Sequence, residues 1–241
     1  MSVALVSGCP STSERQVQAG HSEAKAGRWR EAVTAYQAAA EADPSNATTK
    51  ALVGVAALSK NDPALATAAF SQALAQDRDS AEARLGLAQL AIAAADAGVA
   101  LGLLDGQASN RATLLRARAF LLRGGPGDAE AALGQAQALL KVEPTSSAAR
   151  YLEGSALLAL GRFGEAQTAL EALEKGDAAS ALGPYGLARL AAAQRRATDT
   201  LLYLKAARSR FGAAWPRAAV ESDPAFAFLA GTPGFIEVVG P

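Results

Sequence analysis

Cysteine and histidine, the side chains most often used for nucleophilic or acid–base chemistry, occur once each, as Cys9 and His21. A lone histidine cannot run a Ser/His/Asp set without partners arranged around it. His21 also falls inside a helical stretch, where an exposed polar role is expected. One cysteine permits no intrachain disulfide, and with one histidine no His/Cys cluster can hold a metal. Gly124-Gly125-Pro126-Gly127 is as rich in glycine as a phosphate loop, but it lacks the lysine and the preceding strand such loops need. Carboxylates such as Glu165 and Glu171 read as solvated helix charges. These residues point to no enzyme, no cofactor, no metal and no small-molecule substrate.

The stronger signal is the spacing of small and bulky residues that would position any site. Ala32, Ala66, Ala100, Ala132 and Ala166 lie 34, 34, 32 and 34 residues apart. Tyr36 and Phe70 follow the first two by four residues, and Ala39 and Ala73 come three further on. A small–bulky–small signature with this period marks stacked helical hairpins. Half of the residues are apolar but only 5% are aromatic, and alanine favours helices that approach closely. Lys+Arg and Asp+Glu both number 23, so a general nucleic-acid surface is not expected. No apolar run reaches the roughly 20 residues that span a bilayer.

Gly27-Arg28-Trp29-Arg30-Glu31-Ala32-Val33, followed by Tyr36, Ala39 and Asp43-Pro44, resembles the tetratricopeptide repeat, with Gly20 on that family's small first-helix position. The resemblance covers about residues 13–212. It implies an all-α, right-handed superhelical solenoid of about six helical hairpins. The first pairs Glu14–Lys25 with Trp29–Glu41. In the second, Gly54, Ala66, Phe70 and Ala73 match, Arg78 replaces a proline, and Asn61 or Asp62 caps a helix. The third is degenerate: Gly98, Gly102 and Gly106 recur along its second helix, as a hinge, a close-packing seam or simple drift. Two residues are missing before the fourth, which pairs Thr113–Arg123 with Asp128–Val142. Tyr151, Gly154, Gly161-Arg162-Phe163, Ala166 and Leu170 mark the fifth, and Pro184–Gln194 with Asp199–Phe211 the sixth. Residues 213–241, with Asp223-Pro224 and Thr232-Pro233 as helix starts, are expected to cap the stack, a partner-binding tail being the alternative.

In that family the first helices of successive hairpins line an inner groove. The resemblance places Val17, His21, Ala51, Val55, Leu58, Leu85, Gln89, Ile92, Leu121, Tyr151 and Ser155 along it. This lining is mostly apolar and lacks the Lys and Asn of the family's carboxylate clamp, since Val17 and His21 occupy the first such pair. The implied ligand is an apolar helix or extended segment of another protein. Charge is uneven: Arg189, Arg195, Arg196, Lys205, Arg208, Arg210 and Arg217 run with only Asp199 against them, and Arg111, Arg116, Arg118 and Arg123 form a second cluster. Such stripes either stay solvated or steer an acidic partner or lipid headgroup.

Val6-Ser7-Gly8-Cys9, behind Val3-Ala4-Leu5-Val6, resembles a bacterial lipobox, cut before a cysteine that then carries lipid. The basic start is missing and the apolar core falls short of roughly 7–15 residues, so a start codon further upstream is expected. Residues 1–12 would then be truncated signal and unstructured linker. Pro10, in place of an aspartate, favours the outer membrane, facing the periplasm or exterior. The combined expectation is a lipid-anchored interaction scaffold in a bacterial envelope that helps assemble a pilus, secretion or outer-membrane complex. A soluble cytoplasmic adaptor without lipid is the alternative.

Overall fold

The computed structural model describes residues 10–240, and every regular element among them is helical. The hairpins rest on one recurring turn. α1 (Thr12–Lys25) passes to α2 (Trp29–Ala42) through Gly27 at φ +74°. α3 (Ala47–Ser59) reaches α4 (Pro63–Gln76) through Asn61 at +63°, and α5 (Ala81–Ala93) reaches α6 (Ala97–Leu104) through Ala95 at +60°. After each left-handed residue the next amide bonds the carbonyl five residues back: Arg28 to Glu23 at 2.9 Å, Asp62 to Ala57 at 2.9 Å, Asp96 to Ala91 at 2.8 Å. This closes the open carbonyls of the first helix and reverses the chain. Of the two candidate caps, Asp62 accepts from the Leu65 amide at 3.1 Å, and Asn61 supplies the turn.

α1 starts earlier than expected. Ser11 and Glu14 form a reciprocal capping box, so Ser11 and Thr12 belong to the helix start and not to an unstructured lead. Cys9 lies outside the described residues.

The chain divides into two compact units, Met1–Gln107 and Ala108–Pro241, a division that falls inside the stretch 13–212. In the first unit the bulky residues of α2 and α4 are knobs set against glycine. Phe70 is fully buried, and a Cβ added at Gly54 or Gly86 would lie 2.6 or 2.3 Å from its ring. Gly54 belongs to its own hairpin and Gly86 to the next, so one ring fastens two hairpins together. Gly20 seats the Tyr36 ring within the first hairpin alone. Lys50 reaches back to the Pro44 carbonyl at 2.6 Å, and Arg84 to the Arg78 carbonyl at 3.1 Å, tying each inter-hairpin loop.

The second unit contains α7 (Asn110–Arg123), α8 (Asp128–Val142), α9 (Ser147–Ala159), α10 (Phe163–Gly176), α11 (Leu182–Ala193) and α12 (Ala197–Phe211), then the short α13 (Arg217–Ser222) and α14 (Pro233–Val239). The turn recurs at Gly161 (φ +71°) and Arg195 (φ +58°). Leu170 is the knob here, with Gly154 and Gly186 on its two sides. Arg150 repeats the loop tie, to the Pro144 carbonyl at 3.1 Å.

The expected register changes in the middle. α6 has only eight residues and ends at Leu104, so Gly106 (φ +71°) lies in the following turn and not along the helix. Each interior glycine costs about 1 kcal/mol relative to alanine, and Gly98 and Gly102 weaken this helix. α7 begins at Asn110, under Ser109 as cap. Its buried residues Ala112, Leu115, Ala117 and Ala119 stand 37 positions before Ala149, Leu152, Gly154 and Ala156, which are also buried. Only 29 positions separate Ala112 from the buried Ala83. The two missing residues are therefore five lost in the third hairpin and three gained in the fourth, whose turn is Gly124-Gly125-Pro126-Gly127. That turn is locked by Asp128, 3% exposed, which accepts from Arg123 at 2.6 and 2.8 Å and from the Gly125 amide at 2.8 Å.

The closing segment keeps the period. Asp223, Gly234 and Val238 follow Arg189, Thr200 and Leu204 by 34 residues each. Val220, Phe226, Phe235 and Val238 pack with Ala188 and Leu204 in one apolar cluster. Asp223 and Thr232 cap the two short helical segments ahead of Pro224 and Pro233.

Candidate protein-binding surface

Neighbouring first helices pack side by side, α3 with α5, α7 with α9 and α9 with α11, so every third or fourth residue along them forms a column on one face. In the first unit Val17, Val55, Leu58, Gln89 and Ile92 are half-buried, and His21 is exposed. Ala51 and Leu85, at 3% and 5% exposure, are spent in the core and offer a partner almost no surface. Val55 and Leu58 pack on that core while remaining partly open. His21 is tied to the wall: its Nδ1 lies 2.8 Å from the Tyr36 hydroxyl, and the two rings meet edge to face at 5.5 Å. The surface is apolar with polar punctuation and has no charge among these side chains.

The second unit differs. The 37-residue offset puts Leu121 in line with Leu158, and it puts Arg118, not Leu121, in line with Ser155. Adding 34 to Tyr151 and Ser155 gives Tyr185 and Arg189. Tyr151 and Tyr185 stack at 6.3 Å, and Tyr185 meets Phe226 at 6.1 Å. The Tyr185 hydroxyl donates to Asp223 at 3.1 Å, and burial, ahead of the nearby charges, pushes its phenol well above the ordinary range. Arg189 Nε lies 3.4 Å from the same carboxylate but is not aligned for a hydrogen bond. Arg118, Tyr185 and Arg189 were absent from the expected lining. Tyr185 and Arg189 were legible from the 34-residue step, whereas Arg118 was hidden by the shifted register.

Most of the basic stripe is used internally. Lys205 pairs with Glu237 at 2.8 Å, and Arg208 donates to the carbonyls of Glu237 and Val238, both at 2.8 Å. Arg210 binds Glu174 at 2.7 Å, Arg196 pairs with Asp199 at 3.3 Å, and Arg217 with Glu221 at 3.2 Å. The Arg195 guanidinium sits 5.0 Å from the Phe228 ring centre. Acids distant in sequence, Glu237 and Glu174, supply the partners of Lys205 and Arg210. In the second cluster Arg123 is held by Asp128 and Arg116 by Gln135 at 3.1 Å, while Arg118 is exposed and has no polar partner among the described residues.

Among the described residues no group of three His, Cys, Asp or Glu side chains could hold a metal ion, and no helix is long and apolar enough to cross a membrane. The arrangement can grip another chain through apolar contact, stacking and a few directed hydrogen bonds.

The family model described as tetratricopeptide repeat matches residues 17–81 and 114–180, more than half of the chain. No curated protein is similar enough in sequence to count as a relative. Among solved structures, a tetratricopeptide repeat protein from Parabacteroides merdae is 18% identical over 81% of this chain and 77% of its own, with a TM-score of 0.64. PilW, described as a widely conserved type IV pilus biogenesis factor, is 17% identical over 84% of this chain and 95% of its own, with a TM-score of 0.63. PilF of Pseudomonas aeruginosa is 18% identical over 85% and 92%, with a TM-score of 0.58. At such identities the likeness is one of fold.

Proposed function

The chain belongs to the tetratricopeptide repeat family, and from that premise we propose that it is a lipid-anchored adaptor of a bacterial envelope, holding a partner segment on the inner faces of its hairpins. Members of this family are protein-interaction scaffolds, typically without enzymatic activity. The observation that carries the reading is the set of half-buried apolar side chains, Val17, Val55, Leu58 and Ile92, on first helices that bury Gly20, Ala51 and Leu85 in the core. Such a row takes an apolar helix or extended segment by packing, and the rigid hairpins hold it ready, which lowers the entropic cost of binding. The lipid on Cys9 and the envelope location rest on the lipobox-like residues 6–9. Within a part in assembling a pilus, secretion or outer-membrane complex, the pilus reading draws support from the fold shared with PilW, a type IV pilus biogenesis factor.

Two measurements test this. Labelled palmitate should enter the protein and vanish with Cys9→Ala; a protein that never takes label is the soluble adaptor instead. Crosslinking in the native host should trap a partner that is lost with Val55→Glu plus Ile92→Glu while circular dichroism keeps its helical signal. Leu85 is unsuitable for this test because its burial would turn a charge into an unfolding mutation. Undiminished capture by the double variant would remove the inner face of the first unit from the function.

A further inference from the structure

The two units present different chemistry on their inner faces, and the difference points to the kind of segment the second one takes. The column in the first unit is His21, Val55 and Gln89, while in the second it is Arg118, Ser155 and Arg189. α7 packs beside α9, and α9 beside α11. Helices in such contact run about 8–10 Å apart, so the two arginines stand on either side of Ser155, each one helix away. Their charges are not equivalent. Asp223 faces Arg189 and balances it. Arg118 is exposed, with no acid, amide or carbonyl partner among the described residues. The nearest acid on the α9 wall, Glu153, is engaged by Arg150 at 3.6 Å. Leu121 shares α7 with Arg118, and Tyr151 and Leu158 lie on the neighbouring α9, all three half-buried and packed on the core behind them.

We infer that the inner face of the second unit takes a partner segment carrying a carboxylate between apolar residues, the acid seated over Ser155 against Arg118 and the apolar side chains on Tyr151, Leu121 and Leu158. Charge complementarity selects this occupant. An all-apolar segment would cover Arg118 and strip its water without supplying an acceptor, which is unfavourable for a cation. A carboxylate supplies a charge-assisted hydrogen bond. A strongly acidic segment fits less well, because Asp223 already neutralises Arg189. One acid per segment matches the one cation on this face that has no partner among the described residues.

This inference rests on the groove reading proposed above, and the test separates the two. The probe is a library of random linear peptides displayed on phage and selected on the full chain. The enriched peptides should carry a single Asp or Glu flanked by Leu, Ile or aromatic residues. Synthetic copies should bind about fivefold more weakly to Arg118→Gln, and again about fivefold more weakly when their acid becomes the amide, a size set by a partly exposed ion pair. Arg118 is exposed, so the variant should fold normally, and its affinity should lose most of the salt dependence seen with the parent. Apolar peptides without an acid, insensitive to Arg118→Gln but lost with Val55→Glu plus Ile92→Glu, would overturn this inference and leave the groove standing. A library that yields no binder would overturn both.

Discussion

Glycine at two kinds of position shows how neighbours decide the sign of a substitution. Gly102 lies on α6 with no atom within 4 Å of where a Cβ would stand, so Gly102→Ala should stabilise by about 1 kcal/mol, the ordinary helix preference. Gly86 offers the same helix gain, but its Cβ would sit 2.3 Å from the Phe70 ring, which Gly54 blocks from the other side. Overpacking of this kind costs about 1–3 kcal/mol and should outweigh the gain, so Gly86→Ala should lower the melting temperature. Urea unfolding of the two variants checks both signs. Asp128 carries a pH dependence. The Arg123 hydrogen bonds, opposed by burial and helped by the Gly125 amide, hold its carboxyl below the usual 3.8. Its contribution is complete above that range and drains away as pH falls through the lowered folded-state value. The stability gap between the parent and Asp128→Asn should therefore be wide at neutral pH and narrow on acidification; a gap constant down to acid pH would mean the carboxylate is not held this way.

At the scale of elements, the hairpin turn demands a left-handed residue whatever the sequence supplies. Ala95 and Arg195 occupy that place without being glycine. The conformation costs an L-residue about 1–2 kcal/mol. Ala95→Gly should recover about 1 kcal/mol of it, visible as a higher midpoint in denaturant. Arg195→Gly should come out near neutral, because it also removes the guanidinium from the Phe228 ring, a contact of about 0.5–1 kcal/mol. A clear gain at Arg195 would show that the ring contact contributes nothing. α6 is the weak element of the array: eight residues long, with two interior glycines and Val99 53% exposed. Sequence anticipated that this repeat was degenerate. It could not show that the loss lay in the helix and the gain in the next turn, because both changes cancel to two residues in the alanine spacing.

For the molecule as a whole, the first unit has a core centred on Phe70, and the second has its own, one cluster around Leu170 and another around Phe226. Calorimetry should resolve two unfolding transitions, and Gly86→Ala should lower one and leave the other in place; a single transition that shifts as one would contradict separate cores. Much of this architecture was readable from residue order alone. Period, hairpins, turns and caps depend on interactions within about six residues, such as the capping of the Leu65 amide by Asp62 and the tie from Lys50 to the Pro44 carbonyl. Residue order therefore determined that the chain is a tetratricopeptide array. Tertiary packing alone decided the rest. Leu85 became core while Ile92 stayed half open, and Arg208 and Arg210 found partners 29 to 36 residues away while Arg118 found none among the described residues. Exposure and charge balance are set by what a distant part of the chain lays against a side chain, and a linear pattern does not contain that neighbour.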